Sequence, residues 1–126
     1  DWLKGLKDAY CVEFDDRCWF ISTIEELQEE VDIDKRSMPF WQQLVSLADM
    51  FVELSNVDST TDQDGNPVSV ERLKGCVVIG DDNGDPLYVD PSNGYSVWCY
   101  YLDGGDVASV CSSLEGFIGG SVVVPE

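Results

Sequence analysis

The side chains that most often carry out covalent or metal chemistry are absent or scattered in this sequence. None of the 126 residues is histidine, which removes the usual base for a serine or cysteine nucleophile and the common zinc ligand. The five cysteines are widely and irregularly spaced, without a Cys-x-x-Cys pair, so they predict neither a zinc site nor a disulfide framework. We expect reduced thiols, with Cys18, Cys76 and Cys99 buried as small hydrophobic groups because apolar, strand-like residues flank them.

Carboxylates are the one reactive group in excess, and their spacing is uninformative. With so many, a pair such as Asp81 and Asp82 does not by itself indicate an acid–base couple. An EF-hand-like stretch has Thr60 in place of Asp at position 1 and Pro67 at position 8, so a calcium loop is disfavoured. The glycine pairs lack the lysine of a phosphate-binding loop. We therefore predict a protein that is not an enzyme, with no catalytic residue, metal or cofactor.

The net charge limits the kind of partner. Twenty-five acidic residues face seven basic ones, for a formal charge of −18. Binding to phosphate depends on Lys and Arg that displace counterions, so neither nucleic acid nor an anionic membrane surface is an expected ligand. The field of such a chain speeds encounters with cationic proteins, although solubility alone explains the charge equally well.

The apolar content predicts one domain, spanning residues 1–126. An apolar share of 44% is ordinary for a globular protein, and no run of eighteen apolar residues indicates a membrane span. The sequence begins at Asp1, without Met or a signal peptide, which is consistent with the loss of a few initial residues. We expect a cytoplasmic protein and make no prediction for the structure of the first 17 residues.

The first half of the chain predicts one strand and two helices. Cys18–Ile21 is a short apolar strand, and Ser22 with Glu25 forms a capping box for a helix that reaches about Val31. A second helix is predicted to open at Ser37-Met38-Pro39 and to cover Phe40–Leu54, although its second half also alternates like a strand.

The second half predicts a polar loop, a β-meander and a final helix. Asn83-Gly84 is the preferred pair for a tight hairpin turn between two of the meander strands. Val122–Val124 forms either an edge strand or a trailing end. The remaining predicted elements are a loop over Asn56–Pro67, strands over Cys76–Gly80, Leu87–Asp90 and Ser96–Leu102, and a helix over Val107–Ile118.

The meander contains a motif with a family resemblance. The stretch Val78–Asp90, VIGDDNGDPLYVD, resembles the central hairpin signature of the SUKH (Smi/Knr) superfamily. A strand resembling Val97–Tyr101 and a helix resembling Ala108–Ile118 follow in the order of that family. Upstream, Trp19–Leu27 is similar to its strand and short helix, so that the resemblance covers about residues 18–118.

The resemblance implies an α+β fold, with a twisted antiparallel sheet flanked by helices, that binds proteins without catalysis. Bacterial members of the superfamily are often immunity proteins that neutralise a cognate toxin, frequently a nuclease. Fungal relatives are regulators of cell-wall synthesis and signalling. An acidic inhibitor suits a basic nuclease toxin, since it can cover the surface that nucleic acid would occupy.

We therefore predict a toxin-binding immunity protein. The alternatives are a regulatory adaptor for endogenous proteins and an acidic mimic of nucleic acid. The predicted binding face lies near the hairpin ends, with two aromatic residues as candidate anchors, and comprises Asp81, Asp82, Asp85, Trp98, Tyr100, Asp103 and Asp106. Each aspartate taken singly is equally well explained as a solvated turn former, and the oligomeric state is not indicated.

Overall fold

A computed structural model describes residues 10–33 and 35–124. Over these residues the chain has a mixed α+β fold of eleven strands and four α-helices. In chain order the strands are β1 Tyr10–Phe14, β2 Arg17–Ile21, β3 Glu30–Ile33, β4 Arg36–Pro39, β5 Ser59–Thr61, β6 Pro67–Ser69, β7 Val77–Asp82, β8 Asp85–Asp90, β9 Ser96–Tyr100, β10 Val107–Cys111 and β11 Val122–Val124. The helices are α1 Ile24–Gln28, α2 Gln43–Ser55, α3 Val70–Lys74 and α4 Leu114–Gly120, with 3-10 turns at Phe40–Gln42 and Pro91–Asn93.

Seven of these strands form one curled antiparallel sheet in the order β10-β9-β8-β7-β2-β1-β11. Strands β7 to β10 are a meander of consecutive hairpins, and the β1–β2 hairpin and β11 extend it. Two further hairpins, β3–β4 and β5–β6, lie outside this sheet. The predicted mixed α+β fold with an antiparallel sheet is confirmed, and Val122–Val124 is an edge strand.

The central strands are buried on both faces of the sheet. All five residues of β9 are buried, and their side chains alternate between two cores. Trp98 and Tyr100 belong to a core covered by α2 and α3, whereas Val97 and Cys99 belong to a second core on the opposite face, which includes Phe117 of α4. Two separate covers are therefore needed for one sheet.

The β1–β2 hairpin supplies most of the second cover. The inward-facing side chains Val12, Trp19 and Ile21 are each no more than 1% exposed and share the second core with Val97 and Cys99. Strands of one sheet can share a core in this way only when the sheet curls back on itself. The curl therefore lets a helix as short as α4 suffice on this face.

The hairpin joins the meander at a narrow junction. The β2–β7 register pairs Phe20 with Asp81 and Ile21 with Gly80, and the Ser22 amide donates to the Ile79 carbonyl at 3.0 Å. A Cβ on Gly80 would lie 2.1 Å from the Phe20 carbonyl oxygen. Because that oxygen belongs to the backbone of a paired strand, any larger residue at position 80 forces the two strands apart.

A buried ion pair holds α3 against the sheet. Asp90, at the end of β8, is 2% exposed. Its carboxylate accepts from Arg72 Nε, from the Ser92 amide at 3.0 Å and from the Ser92 hydroxyl at 2.6 Å. The Arg72 guanidinium also lies over the Trp98 ring, 5.4 Å from its centroid. Burial by itself raises the pKa of Asp90, but the hydrogen bonds from Ser92 and Arg72 outweigh it and lower that pKa below its ordinary value.

The predicted first helix is displaced and shortened. Thr23 and Glu26 form the capping box, one residue later than predicted, since Ser22 is still paired to β7. The helix ends at Gln28, and the residues from Glu30 onward are strand β3. The predicted opening of the second helix, Ser37-Met38-Pro39, lies in β4, which pairs with β3. In both places, hydrogen bonding to a neighbouring strand overrides the local helix signal.

Two later predictions were wrong in part, and the second half of the second predicted helix, which also fitted a strand, is helical. The predicted helix over Val107–Ile118 is strand β10 in its first half, because Val107–Cys111 pairs with β9, and only α4 is helical. The predicted loop Asn56–Pro67 contains β5 and the start of β6. The second main helix continues to Ser55, where Asn56 in a left-handed conformation, φ 60°, ends it.

We expect Gly80→Ala to lower the free energy of unfolding by about 3 kcal/mol or more, because the new methyl group overlaps backbone that cannot move without breaking the β2–β7 pairing. Gly119→Ala is the matched control: its Cβ meets nothing within 4 Å, and alanine is the better helix former, so stability is unchanged or about 0.5–1 kcal/mol higher. Urea unfolding followed by tryptophan fluorescence measures the stability of both variants. Equal changes in the free energy of unfolding would contradict the close approach of Gly80 to the backbone of β2.

Asp90→Asn should lower the free energy of unfolding at pH 7 by about 2–4 kcal/mol, since it leaves Arg72 without its buried partner. A carboxylate with a lowered folded pKa stabilises above its unfolded pKa, about 3.9, and loses that contribution as the pH falls through the folded value. The difference between wild type and variant is therefore constant above about pH 5 and shrinks below about pH 4. Urea unfolding across pH 7 to 3 measures it. Asp49→Asn, at the more exposed pair with Arg36 and Lys74, should cost less than about 1 kcal/mol.

Candidate protein-binding surface

Three turns of the large sheet meet at one of its ends. Because neighbouring strands are antiparallel throughout, the β1–β2, β7–β8 and β9–β10 connections all emerge on the same side. Arg17 Nε donates to the Asp82 carboxylate at 2.8 Å and links the first turn to the second. The Leu102 amide donates to the Asp85 carboxylate at 3.0 Å and links the second turn to the third.

These turns concentrate aspartates, and we call their seven carboxylates the acidic end: Asp15, Asp16, Asp81, Asp82, Asp85, Asp103 and Asp106. Asp15, Asp16, Asp103 and Asp106 are exposed, and the other three are partly exposed. All five aspartates predicted from the sequence lie here. Asp15 and Asp16 were missed, although a polar Asp-Asp pair between the apolar residues of β1 and β2 is a turn signal.

Three of the predicted aspartates also hold the turns together. The Asp81 carboxylate accepts from the Gly84 amide at 2.8 Å, and Asp82 and Asp85 make the contacts to Arg17 and Leu102 given above. Asp103 and Asp106 form no ion pair within the described part of the chain. The turn-forming explanation thus applies to Asp81, Asp82 and Asp85, whereas Asp103 and Asp106 extend into solvent.

Arg17 is the only basic residue in the three turns, and its charge is already used. Its guanidinium lies 4.1 Å from the Trp19 ring centroid and 5.7 Å from that of Tyr101, and Nη1 donates to the Tyr101 hydroxyl at 3.1 Å. Burial by itself lowers the pKa of Arg17, but the hydrogen bonds to Tyr101 and Asp82 reverse the shift and raise it. Arg17 therefore acts as a fixed cationic clamp under the acidic end.

The other cations of the described residues are used in the same way. Arg36 and Lys74 both pair with Asp49 at 2.6 Å, and Arg72 pairs with Asp90. Together with Arg17, four of the five basic residues in the described ranges are in ion pairs. The acidic end thus has seven carboxylates and one guanidinium, and its turns contain no second cation that could neutralise the remaining charge.

The structure corrects the predicted aromatic anchors. Trp98 is 9% and Tyr100 4% exposed, and both lie in the core beneath α2 and α3. Trp98 Nε1 donates to the Ser96 hydroxyl at 2.7 Å, and Arg72 covers its ring. Because β9 is buried on both faces, neither aromatic ring projects from the surface as an anchor.

Two of the cysteines behave as predicted and one does not. Cys76 and Cys99 are buried, and burial raises the pKa of each thiol to about 12, so both stay protonated and unreactive at neutral pH. Cys18 is exposed, because strand alternation gives the inward position to its neighbour Trp19.

The stretch that resembles an EF-hand forms a turn of its own. The Asp62 carboxylate accepts from the amides of Asp64 and Asn66, each at 2.9 Å, as in an Asx turn. Within the described ranges, no group of three or more Cys, Asp or Glu is arranged to hold a metal ion. Among those same residues, no helix has the length and apolar character to cross a bilayer.

Comparisons of the chain with protein-family models, with curated proteins and with solved structures found no match in any of the three. The SUKH resemblance therefore stays a prediction from the hairpin motif.

We expect Asp15→Asn combined with Asp16→Gly to raise the free energy of unfolding by about 1–2 kcal/mol. Asp15 and Asp16 have φ of 54° and 61°, the conformation of a tight hairpin turn in which Asn-Gly is preferred, and they place two like charges side by side. Unfolding in urea at low and high salt separates the backbone effect, which persists in salt, from the charge effect, which is screened.

The β7–β8 turn provides the reverse control for this prediction. It already has Asn83 and Gly84 at φ of 53° and 94°, and a Cβ on Gly84 meets nothing within 4 Å. Gly84→Ala should therefore destabilise by about 1 kcal/mol through the backbone alone. A double Asp15/Asp16 variant that is less stable than wild type at both salt concentrations would contradict the assigned strain.

Proposed function

We propose that this chain is a non-catalytic immunity protein that binds and blocks a basic toxin through its acidic end. The observation that supports the proposal is the convergence of seven aspartates from three turns around a single arginine that is already paired. Such a surface attracts a cluster of Lys and Arg over long range and speeds association. Its carboxylates then form charge-assisted hydrogen bonds on contact.

The rigidity of the acidic end favours binding over mere solubility. A solubilising charge needs no fixed position, whereas here Arg17, Asp82, Asp85 and the Leu102 amide tie the three turns to one another. Because the turns are tied together, the backbone that carries the carboxylates loses little conformational freedom when a partner docks, so that more of the interaction energy appears as affinity. Inhibition by this surface needs no chemical step, because a protein that covers the phosphate-binding side chains of a nuclease excludes its substrate.

The choice of a toxin as the partner depends on the SUKH resemblance. Residues of the motif have definite roles in the fold: Gly80 permits the β2–β7 junction, Asn83-Gly84 makes the turn, and Asp90 forms the buried ion pair. The family's helix at Ala108–Ile118 is a strand and a shorter helix here, which is a departure from the expected pattern. The buried, protonated thiols suit the reducing cytoplasm in which an immunity protein works.

The test is an affinity purification from the source cells with the purified chain as bait. Asp15→Asn/Asp103→Asn/Asp106→Asn neutralises three carboxylates of the acidic end that make no ion pair within the described chain. Glu25→Gln/Glu29→Gln/Asp32→Asn changes the charge equally, in α1, at its C-cap and in β3. Eluted proteins are identified and assayed for nuclease and other toxic activity, with and without added chain.

We expect wild type and control to retain a basic protein that is released by salt, and the acidic-end variant to bind it at least about tenfold more weakly. The toxic activity of that protein should fall as wild-type chain is added. Equal retention by the two triple variants would refute the acidic end as the binding surface. A retained protein with no toxic activity would refute the immunity function and favour the adaptor alternative.

A further inference from the structure

An apolar groove opens beside the acidic end, between α2 and the β9–β10 turn. Leu47, Met50, Phe51 and Leu54 line one wall at helical spacing i, i+3, i+4 and i+7, and Leu102 stands opposite. The groove has a volume of about 530 Å³. Leu54 is 84% and Leu102 50% exposed, although each is large enough to be buried in an ordinary core.

The groove is a built feature and not a loose surface. The Phe51 ring packs directly against Gly105, where an added Cβ would lie 2.5 Å from the ring. The Thr60 hydroxyl donates to the Gly105 carbonyl at 2.6 Å, and the Gly105 amide donates to the Tyr101 carbonyl at 2.7 Å. These contacts hold the β9–β10 turn against α2.

The charges at the rim identify the chemistry of the occupant. Asp103 lines the groove, and the Asp106 carboxylate lies close enough to Tyr100 at its floor to add to the effect of burial in raising the pKa of that hydroxyl. An apolar floor with an acidic rim complements a segment that carries large apolar side chains between Lys and Arg. An acidic segment would be repelled by the rim carboxylates, and a uniformly polar segment would leave the apolar floor in contact with water.

We infer that this groove receives the apolar face of a basic amphipathic helix of the protein partner, and so adds an apolar anchor to the electrostatic contact of the acidic end. The apolar stripe of α2 spans about 10 Å, which matches two turns of a docked helix with anchors at i, i+3 or i+4 and i+7. This inference rests on the proposed function, because it names the part of the partner that the acidic end attracts.

The experiment uses the whole chain and a synthetic amphipathic peptide of Lys and Leu, with Leu on one helical face. A peptide with every Leu replaced by Ser keeps the charge and removes the anchors. Fluorescence anisotropy at about 50 and 300 mM NaCl measures binding to wild type, Leu54→Ser and Val122→Ser, since salt at the higher concentration screens the charge contribution. Val122 is 65% exposed and lies on edge strand β11, so it controls for the loss of one exposed apolar side chain.

We expect the Lys/Leu peptide to bind wild type and Val122→Ser equally, and Leu54→Ser about tenfold more weakly at both salt concentrations. The serine peptide should bind weakly and only in low salt. Equal binding of the Lys/Leu peptide to wild type and Leu54→Ser, or no binding to wild type even at low salt, would overturn the inference.

The cellular partner separates this inference from the proposed function. If the partner is lost with the Asp15/Asp103/Asp106 variant and kept by Leu54→Ser, the groove assignment fails and the proposed function stands. If the peptide behaves as expected and the source cells yield no partner that depends on the acidic end, the groove binds basic helices and the immunity function fails.

Discussion

The fold depends on the burial of β8 and β9 on both faces of one sheet. Every residue of β9 is buried, and its alternating side chains serve two cores, so two covers must be supplied by a chain of modest length. Helices α2 and α3 form one, locked by the Asp90–Arg72 pair. The other is α4 together with the sheet's own β1–β2 hairpin, which is why the sheet curls. The same curl brings the hairpin turn with Asp15 and Asp16 beside the turns of the meander, so that the acidic end follows from the way the core is closed.

The elements that could be predicted from the sequence are those with strong local signals. Asn83-Gly84 predicts its turn, apolar runs predict β7 to β9, and helical spacing predicts α2. The errors occur where pairing with a strand distant in sequence determines the local structure. Val107, Val110 and Leu114 fit a helical face, but pairing with β9 makes the first two part of β10. Ser22 looks like a helix cap, but its amide is bonded to β7, and the cap moves to Thr23. Such pairings are absent from any local window of sequence.

The same distinction between local signals and contacts distant in sequence applies to the candidate site. Turn chemistry predicted five of the seven aspartates of the acidic end, because aspartate is favoured in turns for local reasons. Trp98 and Tyr100 were misplaced, since a strand covered on one face and a strand covered on both contain the same kinds of aromatic residue. The apolar groove could not have been predicted, because Leu54 and Leu102 are distant in sequence and meet only through the packing of α2 on the β9–β10 turn. Arg17 was missed for the same reason, as its partners Asp82 and Tyr101 lie on β7 and on the β9–β10 turn, far from it in sequence.

The narrow junction at Gly80 has a consequence for the order of folding. Strands β7 to β10 pair with sequence neighbours and can form early, whereas β2 reaches β7 through two residue pairs roughly sixty positions apart, at a high cost in loop-closure entropy. We therefore expect docking of the β1–β2 hairpin to be a late event. Until it occurs, Asp15, Asp16 and Arg17 are separated from the meander turns, and the second core has no cover. A partner that recognises the joined turns would consequently distinguish finished molecules from nearly folded ones, and its binding would withdraw only completed chains from the folding equilibrium.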